Sequence, residues 1–194
     1  MANHLILASR SPRRQELLKQ VGIPFIVKTA AVDEAEVDIT NPVEKVKQLA
    51  SLKAKHIPLG KELVVLGADT VVSYKDEIFE KPHDKDEAYR MISALSGEVH
   101  DVYTGVMIRS LKNETVFVER TKVEFWPLTN EEIEWYLESK EPYDKAGAYG
   151  IQSLGSVLVK AIHGDYYNVV GLPLSRVVRE LRKFSIHPKV PGSN

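Results

Sequence analysis

Arg13 and Arg14 stand where a helix least favours cations. The segment Ala8-Ser9-Arg10-Ser11-Pro12-Arg13-Arg14 follows a short apolar run from His4 to Ala8, and Ser11-Pro12 is the cap-plus-proline signal of a helix start. Both arginines then fall in the first turn, where the helix dipole favours anions. Unpaired N–H groups at a helix N-terminus, two guanidinium groups and the hydroxyls of Ser9 and Ser11 would together bind a phosphate. The plainer possibility is a solvated helix start whose arginines pair with surface carboxylates.

Asp69 is the second candidate. It follows Leu63-Val64-Val65-Leu66, a run that reads as a strand buried on both faces, and then Gly67-Ala68. A carboxylate at the end of such a strand lies where α/β active sites collect, although alone it could cap a neighbouring loop. The acidic stretch from Asp33 to Asp38 offers Glu34 as a further oxygen ligand. Mg²⁺ needs only one or two carboxylates when substrate phosphates supply the rest; without a phosphate site the stretch reads as a solvated loop.

The block Asp144-Lys145-Ala146-Gly147-Ala148-Tyr149-Gly150-Ile151-Gln152 is the third. Glycine lets backbone approach a ligand closely, Tyr149 offers a ring, and the Gln152 amide offers one donor and one acceptor for a base edge. The same composition suits a structural turn before a strand at Val157. Lys53 and Lys81 carry no information in their spacing.

Other chemistry is excluded by residue type. The absence of cysteine removes thiolate nucleophiles and thiolate metal sites, and the six histidines show none of the paired spacing of a zinc site. No Walker-type phosphate loop, dinucleotide fingerprint or G-x-S-x-G turn occurs. With 26 Lys plus Arg against 27 Asp plus Glu, both signs interspersed, the chain does not look like a nucleic-acid-coating protein. No run approaches the roughly 18 apolar residues of a membrane span, and the apolar stretch near the N-terminus is too short for a signal peptide. A cytoplasmic protein with no membrane partner is expected.

These residues need elements to hold them. A helix through Leu17, Leu18 and Val21 closes at Gly22, a strand follows over 24–29, and Asn41-Pro42 opens a helix through Val43, Val46, Leu49, Ala50 and Ala54. Asp84 caps a helix through Ala88, Met91, Ile92 and Leu95. Two long strands, 99–111 and 115–126, form a hairpin, and Thr129 with Glu132 forms a capping box. Val157–Ile162 and Tyr166–Val170 read as a second hairpin about His163-Gly164-Asp165, before a last helix over 173–184. This order predicts an α/β fold with a mixed, strongly twisted sheet. Length and composition suggest one domain of two lobes over 1–186, with a polar tail at 187–194.

Taken together and in order, the blocks resemble the Maf family of nucleoside triphosphate pyrophosphatases. The resemblance covers nearly the whole chain: Ala8 to Arg14, Val32-Asp33-Glu34, Leu66-Gly67-Ala68-Asp69-Thr70, Glu80-Lys81-Pro82, Leu95-Ser96-Gly97, Asp144 to Gln152, Gly164-Asp165-Tyr166 and Val170-Gly171-Leu172-Pro173. The Asp144 to Gln152 block is similar to the branch acting on dTTP and UTP, rather than the one associated with 7-methylguanosine triphosphate. The resemblance implies hydrolysis of the α–β phosphoanhydride to a monophosphate and pyrophosphate, with a divalent cation, Mg²⁺ or Mn²⁺. It implies an inosine-triphosphatase-like fold, with two lobes around a long curved sheet and the nucleotide in the cleft between them. Asp69 then corresponds to the general base and Glu34 to a pocket position; on the chemistry given above, Glu34 and Asp69 are the expected metal ligands. Arg13, Thr70 and Gln152 correspond to positions that set nucleotide specificity, and Ser9, Lys53 and Lys81 to further pocket positions. Arg14 and Tyr149 join the substrate-binding set on the chemistry given above.

Family members are commonly dimers, so a homodimer is implied. The family's association with inhibition of septum formation implies a rival reading, a nucleotide- or nucleic-acid-binding regulator without essential turnover. A purine house-cleaning pyrophosphatase is the enzymatic rival, and it should not need the Gln152 block.

Overall fold

A computed structural model of the chain describes residues 3–29 and 31–190. The last four residues of the expected polar tail lie outside the described residues. The strands are β1 (His4–Leu7), β2 (Phe25–Val27), β3 (Leu63–Tyr74), β4 (Glu77–Phe79), β5 (Val99–Arg109), β6 (Glu114–Phe125) and β7 (Val159–His163). The helices are α1 (Pro12–Gln20), α2 (Pro42–Lys55), α3 (Lys85–Leu95), α4 (Asn130–Leu137), α5 (Tyr166–Val170) and α6 (Leu174–Arg182). The sheet order is β2-β1-β3-β5-β6-β7, with β4 paired to β3. β1 is parallel to both β2 and β3, whereas β4 and β7 pair antiparallel with β3 and β6, so the sheet is mixed. The fold is α/β, as the order of elements predicts. Among the described residues no helix is long and apolar enough to cross a membrane.

The helix starts follow local chemistry. Ser11 and Asn41 cap α1 and α2 with proline in the first turn. At α4, the Thr129 hydroxyl accepts from the Glu132 N–H while the Glu132 carboxylate accepts from the Thr129 N–H.

Two features differ from the sequence reading. Tyr166–Val170 is a helix, not the second strand of a hairpin. Asp165 Oδ1 accepts from Tyr167 N at 2.8 Å, and the buried Asn168 amide donates to Val102 O and Thr121 Oγ1, both at 3.0 Å. A short apolar run carries too little periodicity to separate helix from strand. Asp69 also lies within β3, which continues to Tyr74, rather than at a strand end.

The chain divides into two compact units. One comprises the described parts of Met1–Asp69, Thr104–Glu119 and Gly171–Asn194; the other comprises Thr70–Tyr103 and Arg120–Val170. The first has a core that includes Ile6, Ala50, Ala54, Val65 and Met107, and the second one that includes Phe79, Ile92, Phe125, Tyr136 and Tyr149.

In the first unit α2 lies directly against glycines of β3 and β5. A Cβ on Gly67 would fall 2.5 Å from Ala50 O and 2.8 Å from Ala54 N, and one on Gly105 would fall 2.3 Å from Val46 O. Val46, Ala50 and Ala54 are spaced by four, so this is one face of the helix, and its backbone reaches the strands because neither glycine has a side chain. Gly67→Ala is therefore expected to destabilise the protein by about 1–3 kcal/mol, the usual cost of overpacking. An unchanged Tm in thermal unfolding would mean that α2 can withdraw freely, and it would remove this account of its position.

Candidate functional site

The close seat of α2 on β3 brings Lys53 to Asp69. Lys53 Nζ lies 2.6 Å from Asp69 Oδ1 and 3.0 Å from Glu34 Oε1. Glu34 opens a short 3₁₀ turn, Glu34–Glu36, and its side chain is exposed, whereas Asp69 is only 8% exposed. Two carboxylates thus converge on one ammonium group from opposite environments.

Arg14 closes the site from the other side. The residue is 8% exposed, and its guanidinium is turned inward from the first turn of α1. Nη1 donates to Ala68 O at 2.9 Å and to Ser9 Oγ at 3.2 Å, and Nε donates to Gly171 O at 2.8 Å. Ser9 Oγ also accepts from Ser11 N at 3.2 Å. Arg14 therefore ties the β1–α1 turn and Gly171 to the backbone immediately before Asp69. The sequence assigns this guanidinium to a ligand, and in the structure its Nε and Nη1 donate to protein oxygens.

The electrostatics follow from burial. Desolvation pushes the Asp69 carboxyl above its ordinary value, and Lys53 and Arg14 pull against that rise. Burial lowers the Arg14 guanidinium, with Asp69 opposing the effect. A buried carboxylate of raised proton affinity, kept company by two cations, has the character of a proton acceptor.

The oxygen donors also suit a hard divalent cation. Glu34 and Asp69 already share one positive group, so the same pair fits a metal that takes carboxylate oxygens. Among the described residues no group of three or more His, Cys, Asp or Glu gathers as a metal site. The pair therefore suits a cation completed by substrate phosphates and water, not a structural zinc.

The remaining candidates divide between the units. Arg13 is half-buried beside Arg14 in the first unit. Thr70 follows Asp69 on β3 and, like Gln152, is half-buried, whereas Lys81 is exposed. Tyr149 does not present its ring to solvent: it is 5% exposed, packs edge-on to Phe125 with centroids 4.7 Å apart, and its hydroxyl lies 2.7 Å from His100 Nε2. In a ligand loop glycines flank such a ring for access; here they let the backbone carry it into the core.

The structure adds residues that the sequence did not single out. Ala68 and Gly171 act through carbonyl oxygens, which every residue possesses, so no residue type announces them. Gly67 and Gly105 had a weaker signal, glycine inside a strand, which marks close backbone approach.

The family model described as Maf-like protein matches residues 4–184. A protein of Bacillus cereus (strain G9842) named dTTP/UTP pyrophosphatase is 51% identical, over 94% of this chain and 96% of that relative. A Bacillus anthracis (strain CDC 684 / NRRL 3495) protein of the same name is also 51% identical over the same shares. Among solved structures, a HAM1 protein from Coxiella burnetii aligns with a TM-score of 0.47 and 14% identity, covering 93% of this chain and 99% of that one. By a family match that runs through every element from β1 to α6, the chain belongs to the Maf-like protein family.

Proposed function

We propose that this chain hydrolyses pyrimidine nucleoside triphosphates, dTTP and UTP foremost, at the α–β phosphoanhydride. Water attacks the α-phosphorus, the bond to the bridging oxygen breaks, and a nucleoside monophosphate and pyrophosphate leave. Asp69 is the general base that takes the proton from water. The observation that carries the reading is Asp69 itself, a buried carboxylate of raised proton affinity held 2.6 Å from Lys53. The names of the half-identical relatives support the substrate class.

Glu34 and Asp69 would hold a divalent cation, Mg²⁺ or Mn²⁺, which when bound neutralises phosphate charge and lowers the pKa of nearby water. Lys53 and Arg13 supply positive charge toward the polyphosphate, since phosphoryl transfer depends on positioning and charge stabilisation more than on covalent chemistry. Ser9 and Lys81 complete the binding set, Thr70 and Gln152 act on the base and sugar, and the reaction takes place in the cytoplasm.

The test is turnover on a panel of UTP, dTTP, CTP and ITP with Mg²⁺ or Mn²⁺, with each product identified. Monophosphate plus pyrophosphate is expected. A diphosphate with orthophosphate would contradict the bond assigned, preference for ITP would contradict the base, and saturable binding without turnover would contradict an enzyme.

Base choice gives a sharper expectation. Uracil and thymine present an acceptor at O4 and a donor at N3, which one amide can match, whereas cytosine inverts both. An unpaired buried polar group costs about 1–3 kcal/mol, or roughly 5- to 150-fold in kcat/KM. Gln152→Ala is expected to reduce the UTP-over-CTP ratio of kcat/KM by that order; an unchanged ratio would end the base-reading role.

A further inference from the structure

The backbone that carries Gln152 is strained. Ala148 and Ser153 adopt left-handed conformations, φ 59° and φ 53°, that non-glycine residues rarely take, and Gly147 precedes Ala148 at φ 68°. Strain of this kind persists only where the surroundings over-determine it, and it gathers at ligand sites. Gly147 N donates to Glu80 O at 3.1 Å and Gly150 N to Tyr136 Oη at 3.3 Å, while Leu154 N and Gly155 N donate to the Glu141 carboxylate. Within this frame the Tyr149 side chain reaches the sheet. Its hydroxyl meets His100 Nε2 of β5 at 2.7 Å, and both rings stand edge-on to Phe125 of β6.

That polar contact is a poor source of stability. His100 is 2% exposed, and its Nδ1 has no partner among the described residues. Burial pushes the imidazole down to about 4, so the ring is neutral at physiological pH. A neutral imidazole carries one N–H and the phenol one O–H, and only one of these hydrogens can lie in the bond between them. In either tautomer the other is buried without an acceptor. Replacing both partners with apolar groups of the same shape should therefore be neutral or stabilising. What the pair supplies is a fixed position for Tyr149.

We propose that His100 is a positioning residue for base selection, anchoring Tyr149 and thereby holding the Gln152 amide in one orientation. This rests on the base-reading role of Gln152. An amide free to flip satisfies uracil or cytosine equally, so selectivity needs its segment held in place.

The test measures kcat and KM on UTP and CTP, together with Tm, for His100→Phe, Tyr149→Phe, the double variant, His100→Gln and Gln152→Ala. Phenylalanine keeps the ring packing and removes the polar contact. The UTP-over-CTP ratio is expected to fall at least about five-fold in His100→Phe, and no further in the double variant, because both changes break one bond. The loss should lie in KM for UTP more than in kcat. The double variant should melt at or above the wild-type temperature, and His100→Gln, whose amide can still bond the phenol, should recover most of the ratio. A full ratio in the double variant, with the ratio lost in Gln152→Ala, overturns the positioning role and leaves the base-reading role standing. A full ratio in Gln152→Ala overturns both.

Discussion

Asp69→Asn is expected to lower turnover at least about 100-fold, since general-base catalysis contributes about 10² to 10⁴. The amide keeps the shape of the carboxylate and loses the charge and the basicity. Stability should move the other way. Burial raises the Asp69 carboxyl above its unfolded value, so the stability associated with its protonated form is present in acid and is lost as pH rises through that raised value. Asparagine carries no such loss, and the variant should melt at or above the wild-type temperature near neutral pH. The difference in Tm should shrink as the pH is lowered. Turnover near the wild-type rate in a folded Asp69→Asn protein would sink the assignment of the base.

Arg14→Met should produce the largest loss of stability. Methionine fills a similar length but withdraws the hydrogen bonds that Arg14 gives to Ala68 O, Gly171 O and Ser9 Oγ, and it takes a cation from beside buried Asp69. Removing one partner from a buried charged network costs about 3–5 kcal/mol. For a chain of this size that lowers Tm by on the order of 10 °C. Arg14→Lys should recover only part of the loss, because a single ammonium cannot reproduce the planar fork that reaches two carbonyls in different segments. Urea unfolding with an unchanged m-value would check that the native state alone is affected. If Arg14→Met raised KM for the triphosphate while Tm stayed unchanged, Arg14 would be a phosphate ligand and not a clamp.

The difference between these two residues marks how far the sequence alone could be read. Asp69 was legible because four apolar residues precede it, and a buried strand delivers its next polar side chain to a protected place. Arg14 stands out in the sequence as a cation in the first turn of a helix, and in the structure its Nε and Nη1 meet protein oxygens. The oxygens that receive it belong to residues 68 and 171, far from it along the chain. Lys53 carries no signal in its spacing and enters only through the family resemblance, yet its Nζ lies 2.6 Å from Asp69 Oδ1.

By itself the sequence determined the α/β class, the starts of α1, α2 and α4, the long pair β5 and β6, and the set of blocks that marks the family. Capping, proline placement and hydrophobic periodicity act within a few residues, so they are written where they operate. Only the tertiary structure decided that Tyr166–Val170 is a helix, that Tyr149 is a core ring bonded to His100, and that Lys53 bridges Glu34 and Asp69. Each of these depends on which segments touch. The seat of α2 on Gly67 and Gly105 is set by packing of backbone against backbone; glycine inside a strand marks a close approach, but only the tertiary structure names the helix that makes it.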